Sequence, residues 1–293
     1  MSAITATAPL PSQTPPEMAE HWLATVAAGL RARSLAPYLG PEVLAPIPGG
    51  PTLPNSYPAL AAFFASKVAL PKRVRGNPWA AAQFIESNRH RATLTQIMKA
   101  AFAPEIAPTP LHHALAAWAP PLIVDTWYDA SVRQAFAGRA DFAELQGINR
   151  AGIGEERWFR AYASNGAEVA VNTLADLGTI LYKPHGCIQP AANFLVTDAD
   201  YVEVLTEIDI QTPIPELVRQ RRGQLGFVFL GCRFHDQMLR TYARQILKRS
   251  QGPHFALFAK DDLTRMERRF MAELAIDVLF CPLDEAVARL IQS

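Results

Sequence analysis

Gly226-Phe-Val-Phe-Leu-Gly231 is an unbroken apolar run closed by glycine, and the pattern that follows it decides the fold. The spacing predicts a helix over Asp236 to Arg249, a strand at His254-Phe-Ala-Leu-Phe-Ala259 and a helix over Asp262 to Leu274. A strand from Ile276 to Cys281 and a last helix over Asp284 to Ile291 complete the run. Apolar strands without polar alternation are covered on both faces, and helices between them supply the cover. The chain is therefore expected to be α/β, with a Rossmann-like, doubly wound, mostly parallel sheet.

Upstream, the same signals place strands at Ser34 to Gly40, Pro121 to Asp125 and Thr179 to Tyr182. A strand pair is expected within Glu155 to Val171, turning at Ser164-Asn-Gly166. Helices are expected from Pro16 to Arg33 and from Ala130 to Ala137. Thr197-Asp-Ala-Asp200 has a hydroxyl followed three residues later by a carboxylate, which predicts a helix start running through Tyr201 and Leu205. Residues 57–118 are Ala-rich and show no strand pattern. They read as four helices, Ala59 to Val68, Pro78 to Asn88, Thr93 to Ala103 and Pro110 to Trp118, forming a helical module inserted beside the sheet. Residues 1–16, rich in Ala, Thr and Pro, read as a flexible tail, 41–58 as a loop, and 17–293 as one domain.

Composition narrows the function classes. Apolar residues at 49% and charged residues at 19% make the chain globular. A formal net charge of +1 gives a polyanion nothing to bind, so no nucleic-acid partner is expected. The basic run Arg219-Gln-Arg-Arg222 reads as a solvated helix end. Cys187, Cys232 and Cys281 lie far apart without Cys-x-x-Cys spacing, so they are expected to be apolar fillers of a reduced, cytoplasmic chain holding no metal. No targeting segment is expected in Met1 to Leu10, which lacks Lys and Arg. No stretch reaches the roughly 18 apolar residues of a membrane span.

Ligands of open parallel sheets bind beyond the carboxyl ends of the strands. Four turns are expected at that rim: Leu39-Gly-Pro-Glu-Val43, Asp125-Thr-Trp-Tyr-Asp129, Lys183-Pro-His-Gly-Cys187 and Phe229-Leu-Gly-Cys-Arg-Phe-His-Asp236. In this order they resemble the sirtuin-like family, in particular its bacterial branch without a zinc module. The resemblance runs from Ser34 to Leu283. It is carried chiefly by Ile180-Leu-Tyr-Lys-Pro-His-Gly-Cys-Ile188 with Phe194-Leu-Val-Thr-Asp-Ala-Asp-Tyr201, by Phe227 to Asp236, and by Trp79-Ala-Ala-Ala-Gln-Phe84 with His112 or His113 before Pro120-Pro-Leu-Ile-Val124.

The resemblance implies an NAD-binding fold that breaks the nicotinamide–ribose bond, passing the ribose to water or to an acyl-lysine. It implies His185 as the catalytic base, and Gly40, Thr126, Trp127, Asp129, Gly231 and Asp236 as the positions lining the NAD or ADP-ribose site. Two positions depart from the family pattern. Where a Gly-Ala-Gly turn is usual, Gly40-Pro41-Glu42 places a carboxylate beside the diphosphate, and like charges at roughly 4 Å repel by about 1 kcal/mol even in water. Where Asn is usual, Trp127 stands, and an indole donates a hydrogen bond but accepts none. Gly49-Gly50-Pro51 offers an alternative source of glycine amides.

These departures set the expectation: a sirtuin-like protein with weak or lost catalysis, kept as a nucleotide- or protein-binding domain. The alternative is an NAD hydrolase using His185, with deacylation the poorer fit because no cysteines build the zinc module. Each candidate also has a plain structural reading. Asp129 and Asp236 suit helix caps, Gly40 and Gly231 suit strand-end turns, Trp127 suits a filler, and His185 suits a turn residue bonded to backbone.

Overall fold

A computed structural model describes residues 15–44, 53–149, 157–207 and 213–292. Most of the expected tail and the whole of Gly49-Gly50-Pro51 lie outside them. The chain opens with α1 (Pro16–Arg31) and β1 (Leu35–Leu39), then a 3-10 turn at Pro41–Leu44. The helical stretch follows as α2 (Tyr57–Lys67), α3 (Pro78–Phe102) and α4 (Pro110–Trp118). Next come β2 (Leu122–Asp125), α5 (Ser131–Ala135), β3 (Phe142–Gly147), β4 (Phe159–Ala163), β5 (Glu168–Val169) and β6 (Thr179–Lys183). A small hairpin, β7 (Gly186–Cys187) with β8 (Asn193–Phe194), precedes α6 (Asp198–Glu207) and α7 (Glu216–Arg222). The predicted alternation closes the chain: β9 (Gly226–Leu230), α8 (Gln237–Leu247), β10 (His254–Phe258), α9 (Arg265–Glu273), β11 (Ile276–Phe280) and α10 (Leu283–Gln292).

Nine strands form one sheet in the order β11-β10-β9-β1-β2-β6-β3-β4-β5. All neighbours are parallel from β11 to β3, and at the far edge β4 pairs antiparallel with both β3 and β5. The fold is the expected Rossmann-like, doubly wound α/β arrangement. β1 has β2 on one side and β9 on the other, so the winding direction reverses there, and the carboxyl ends of β1 and β9 mark the switch point where such sheets take ligands. Helices α1, α10, α4 and α5 contact one another in one row, and α7, α8, α6 and α3 in another. Right-handed crossovers put these rows on opposite faces. No helix of the described residues is long and apolar enough to cross a membrane.

One sequence expectation holds at a kink, and two differences have physical causes. The second and third expected helices are both present as the two halves of α3, separated at His90 (φ 67°, ψ 156°), whose non-helical backbone breaks the axis between them. β3 was not expected because Glu144 and Gln146 break its apolar run. Both are buried, Glu144 against Arg133 at 2.6 Å and Gln146 against Asn193 at 2.9 Å, so they behave as core residues. The basic run at the end of α7 is not a solvated face. Arg222 is buried and donates to the Gln245 and Ile246 carbonyls at the end of α8, and Arg221 donates to the carbonyls of Pro121 and Leu177. Arg222 thus satisfies carbonyls that the last turn of α8 leaves open, and Arg221 ties α7 to the segments before β2 and β6.

Candidate functional site

The four expected turns do meet at one rim of the sheet. The Gly40 N–H donates to the Leu230 carbonyl at 2.9 Å and the Glu42 N–H to the Gly231 carbonyl at 3.1 Å, tying the β1 turn to the β9 turn. The Thr126 hydroxyl and N–H both donate to the Leu39 carbonyl, at 2.8 and 3.0 Å, tying the β2 turn to β1. His185 Nδ1 lies 3.1 Å from the Thr126 carbonyl, tying the β6 turn to β2.

At the switch point the β1 and β9 turns pack closely against each other. A Cβ on Gly40 would stand 2.2 Å from the Gly231 carbonyl oxygen, and one on Gly231 (φ 65°) would stand 2.5 Å from the Val43 nitrogen. Close approach of the two turns is enough to account for both residues being glycine. Glu42 lies beside this contact, half-buried; burial raises its carboxyl pKa, with Arg233 pulling the other way.

The β2 turn is built from charge buried in the core. The Lys183 ammonium, 1% exposed, sits 2.7 Å from Asp125 and donates to the Asp129 carbonyl at 2.9 Å. Burial works against this ammonium, yet Asp125, the neighbouring thiol and Asp129 outweigh it and hold its pKa above the ordinary lysine value. The Asp129 carboxylate accepts the Ser131 N–H at 2.8 Å where α5 begins, and Asp236 caps α8 through the Met238 N–H at 2.7 Å. Both carboxylates therefore have a structural partner. Trp127 is fully buried, its indole N–H donating to the Pro54 carbonyl at 2.7 Å and its rings packed edge-on against Tyr57 and Phe102. The indole packs between the sheet rim and helices α2 and α3.

His185 is 1% exposed. A carbonyl oxygen can only accept, so the bond to Thr126 fixes the proton on Nδ1 and leaves Nε2 as a bare lone pair. That Nε2 is buried and meets no hydrogen-bonding group of the protein. Burial lowers the pKa to about 4, so the ring is neutral near pH 7. The edges of Tyr201 and Tyr242 close on it, with ring centroids at 4.9 and 5.0 Å. This is the correct tautomer for a base acting through Nε2.

Sequence reasoning missed what fills the site. Tyr38, Tyr57, Tyr182, Tyr201 and Tyr242 are all buried within one another's electrostatic reach, and Tyr57 also reaches the Thr126 side chain. They come from β1, α2, β6, α6 and α8, so no local pattern links them; only placing each at a strand end or module face could have found them. Among the described residues, no group of three or more His, Cys, Asp or Glu could hold a metal ion. Cys187 and Cys232 are buried thiols whose pKa values burial raises.

A family profile for the SIR2-like domain matches residues 121–279, more than half of the chain, and covers the β2, β6 and β9 turns. Among curated proteins, none matches the chain.

Proposed function

Because the chain belongs to the SIR2-like domain family, we propose that it is a catalytically silent member, a binding domain whose nucleotide cleft is occupied by its own side chains. The observation that carries this reading is the filled rim: backbone against backbone at Gly40 and Gly231, an indole at the position after Thr126, and tyrosines around His185.

Magnitudes favour it. Re-exposing a buried aromatic ring costs about 1.5–3 kcal/mol. Making room for a dinucleotide requires moving Trp127 and at least two tyrosines, a cost of about 5–9 kcal/mol. A ligand of micromolar Kd gains only about 8 kcal/mol. NAD binding is then reduced to millimolar or weaker, before the Glu42 carboxylate is counted.

The second reading, an NAD hydrolase, rests on His185. Its imidazole is neutral, its tautomer is fixed, and its lone pair is unclaimed, as a general base requires. Nicotinamide release separates the two readings. Purified protein with millimolar NAD should release no more nicotinamide than a His185→Ala variant; turnover above that control favours the hydrolase and ends the silent-domain reading.

A further inference from the structure

Tyr201 covers His185 from the first turn of α6, and what fixes that turn lies outside the cleft. Asp200, 4% exposed, accepts the N–H groups of Val196 and Thr197 at 2.8 and 3.0 Å, while its own N–H donates to the Thr197 hydroxyl at 3.1 Å. Its carboxylate also takes Arg91 Nη1 at 2.9 Å and the Asn149 side-chain amide. The other arm of Arg91 donates to the Phe194 carbonyl, on the strand leading into α6, and Nη1 lies 3.2 Å from Glu86. Arg91 thus holds both the approach to α6 and its first turn.

Arg91 belongs to α3, immediately after the break at His90. The bend there re-aims the second half of α3 and sets the guanidinium against α6. The arginine side chain is 23% exposed although its partner is nearly sealed, so solvent and solutes reach the ion pair from the arginine side. Beneath it stand Tyr201 and a histidine lone pair that no protein group satisfies.

We propose that the Arg91–Asp200 ion pair is a latch that keeps Tyr201 seated over His185, and that its release lifts the first turn of α6 and exposes His185 Nε2. This inference rests on the reading that the closed cleft is the resting state. It identifies which contact sets the closed population: Arg91 is the ionic link from α3 to α6, beside the Gln83 side chain that accepts the Ala199 N–H at 2.9 Å, and it can be broken without unpacking the sheet.

Diethyl pyrocarbonate acylates exposed neutral imidazoles, and peptide mass spectrometry reads each histidine separately. In the wild-type chain, exposed His21, His90, His113 and His235 should react, while buried His185 and His112 should not. Arg91→Ala should raise the His185 modification rate on the order of tenfold, in proportion to the open population, with His112 unchanged. An unchanged His185 rate, or a rise only in step with His112, overturns the latch. Arg91→Lys keeps the charge but cannot span both partners; the same His185-to-His112 ratio should rise in it to a smaller extent, and decides the matter if Arg91→Ala does not fold. Nicotinamide release by the wild-type chain would defeat the silent-domain reading while leaving this ratio as it is.

Discussion

At the scale of single residues, His185 combines catalytic form with structural burial, and its titration distinguishes the two. In the unfolded chain an imidazole titrates near 6.5; in the fold, burial holds His185 at about 4. The folded state therefore binds this proton less readily than the unfolded state. The stability it contributes is complete above about pH 6.5, drains as pH falls, and is gone below about 4, a loss on the order of 3 kcal/mol. His112 is lowered to about 4 as well, by burial first, so the two histidines add. His185→Asn keeps a donor for the Thr126 carbonyl and removes the titration. Urea unfolding at pH 7 and pH 4.5 should show a smaller acid loss in that variant than in the wild-type chain. Equal losses would mean that His185 titrates as an exposed ring, which a sealed cage does not allow.

At the scale of elements, the β1 and β9 turns show how a ligand-binding motif can persist for packing alone. If Gly40 is retained so that a pyrophosphate can approach, replacing it should affect binding and leave stability nearly untouched. If it is retained because β9 lies against it, the loss should be in stability. The 2.2 Å approach to the Gly231 carbonyl predicts the second outcome, with Gly40→Ala destabilising by about 3 kcal/mol. Gly76, where an added Cβ meets nothing within 4 Å, is the matched control and should be neutral or slightly stabilised as alanine. Equal melting temperatures for the two variants would remove the packing account. The same contrast shows what was legible in the sequence. β9 and β10 could be read because their apolar runs are nearly continuous, β11 because Val278-Leu-Phe280 follows a helix at the same spacing, and the β6 turn because Lys183-Pro-His185-Gly is a compact signal. β3 could not, because its polar residues are paired with groups far along the chain. The tyrosine cage could not, because its members meet only once the sheet has ordered β1, β2 and β6.

At the scale of the whole molecule, the sheet brings the four turns together wherever the ligand chemistry stands, so the fold by itself is no argument for binding. What decides is whether the assembled rim has room, and a ligand's effect on global stability measures that without presuming any reaction. A ligand present at a hundredfold its Kd stabilises the native state by about 2.7 kcal/mol. For a chain of this length that is a rise in melting temperature of roughly 5–10 °C. With the cleft filled, NAD and ADP-ribose at about 1 mM lie at or below the weakened Kd inferred from ring displacement, where RT ln(1 + [L]/Kd) is at most about 0.4 kcal/mol and the rise about 1 °C. ADP-ribose is the more telling ligand, because it lacks the nicotinamide that the indole of Trp127 would oppose and tests the diphosphate region at Gly40 and Glu42 alone. A shift of several degrees with ADP-ribose but not NAD would show that the switch point opens while the indole stays. A shift with both would show that the cage gives way at little cost, and the filled rim would then be a resting closure over a working nucleotide site.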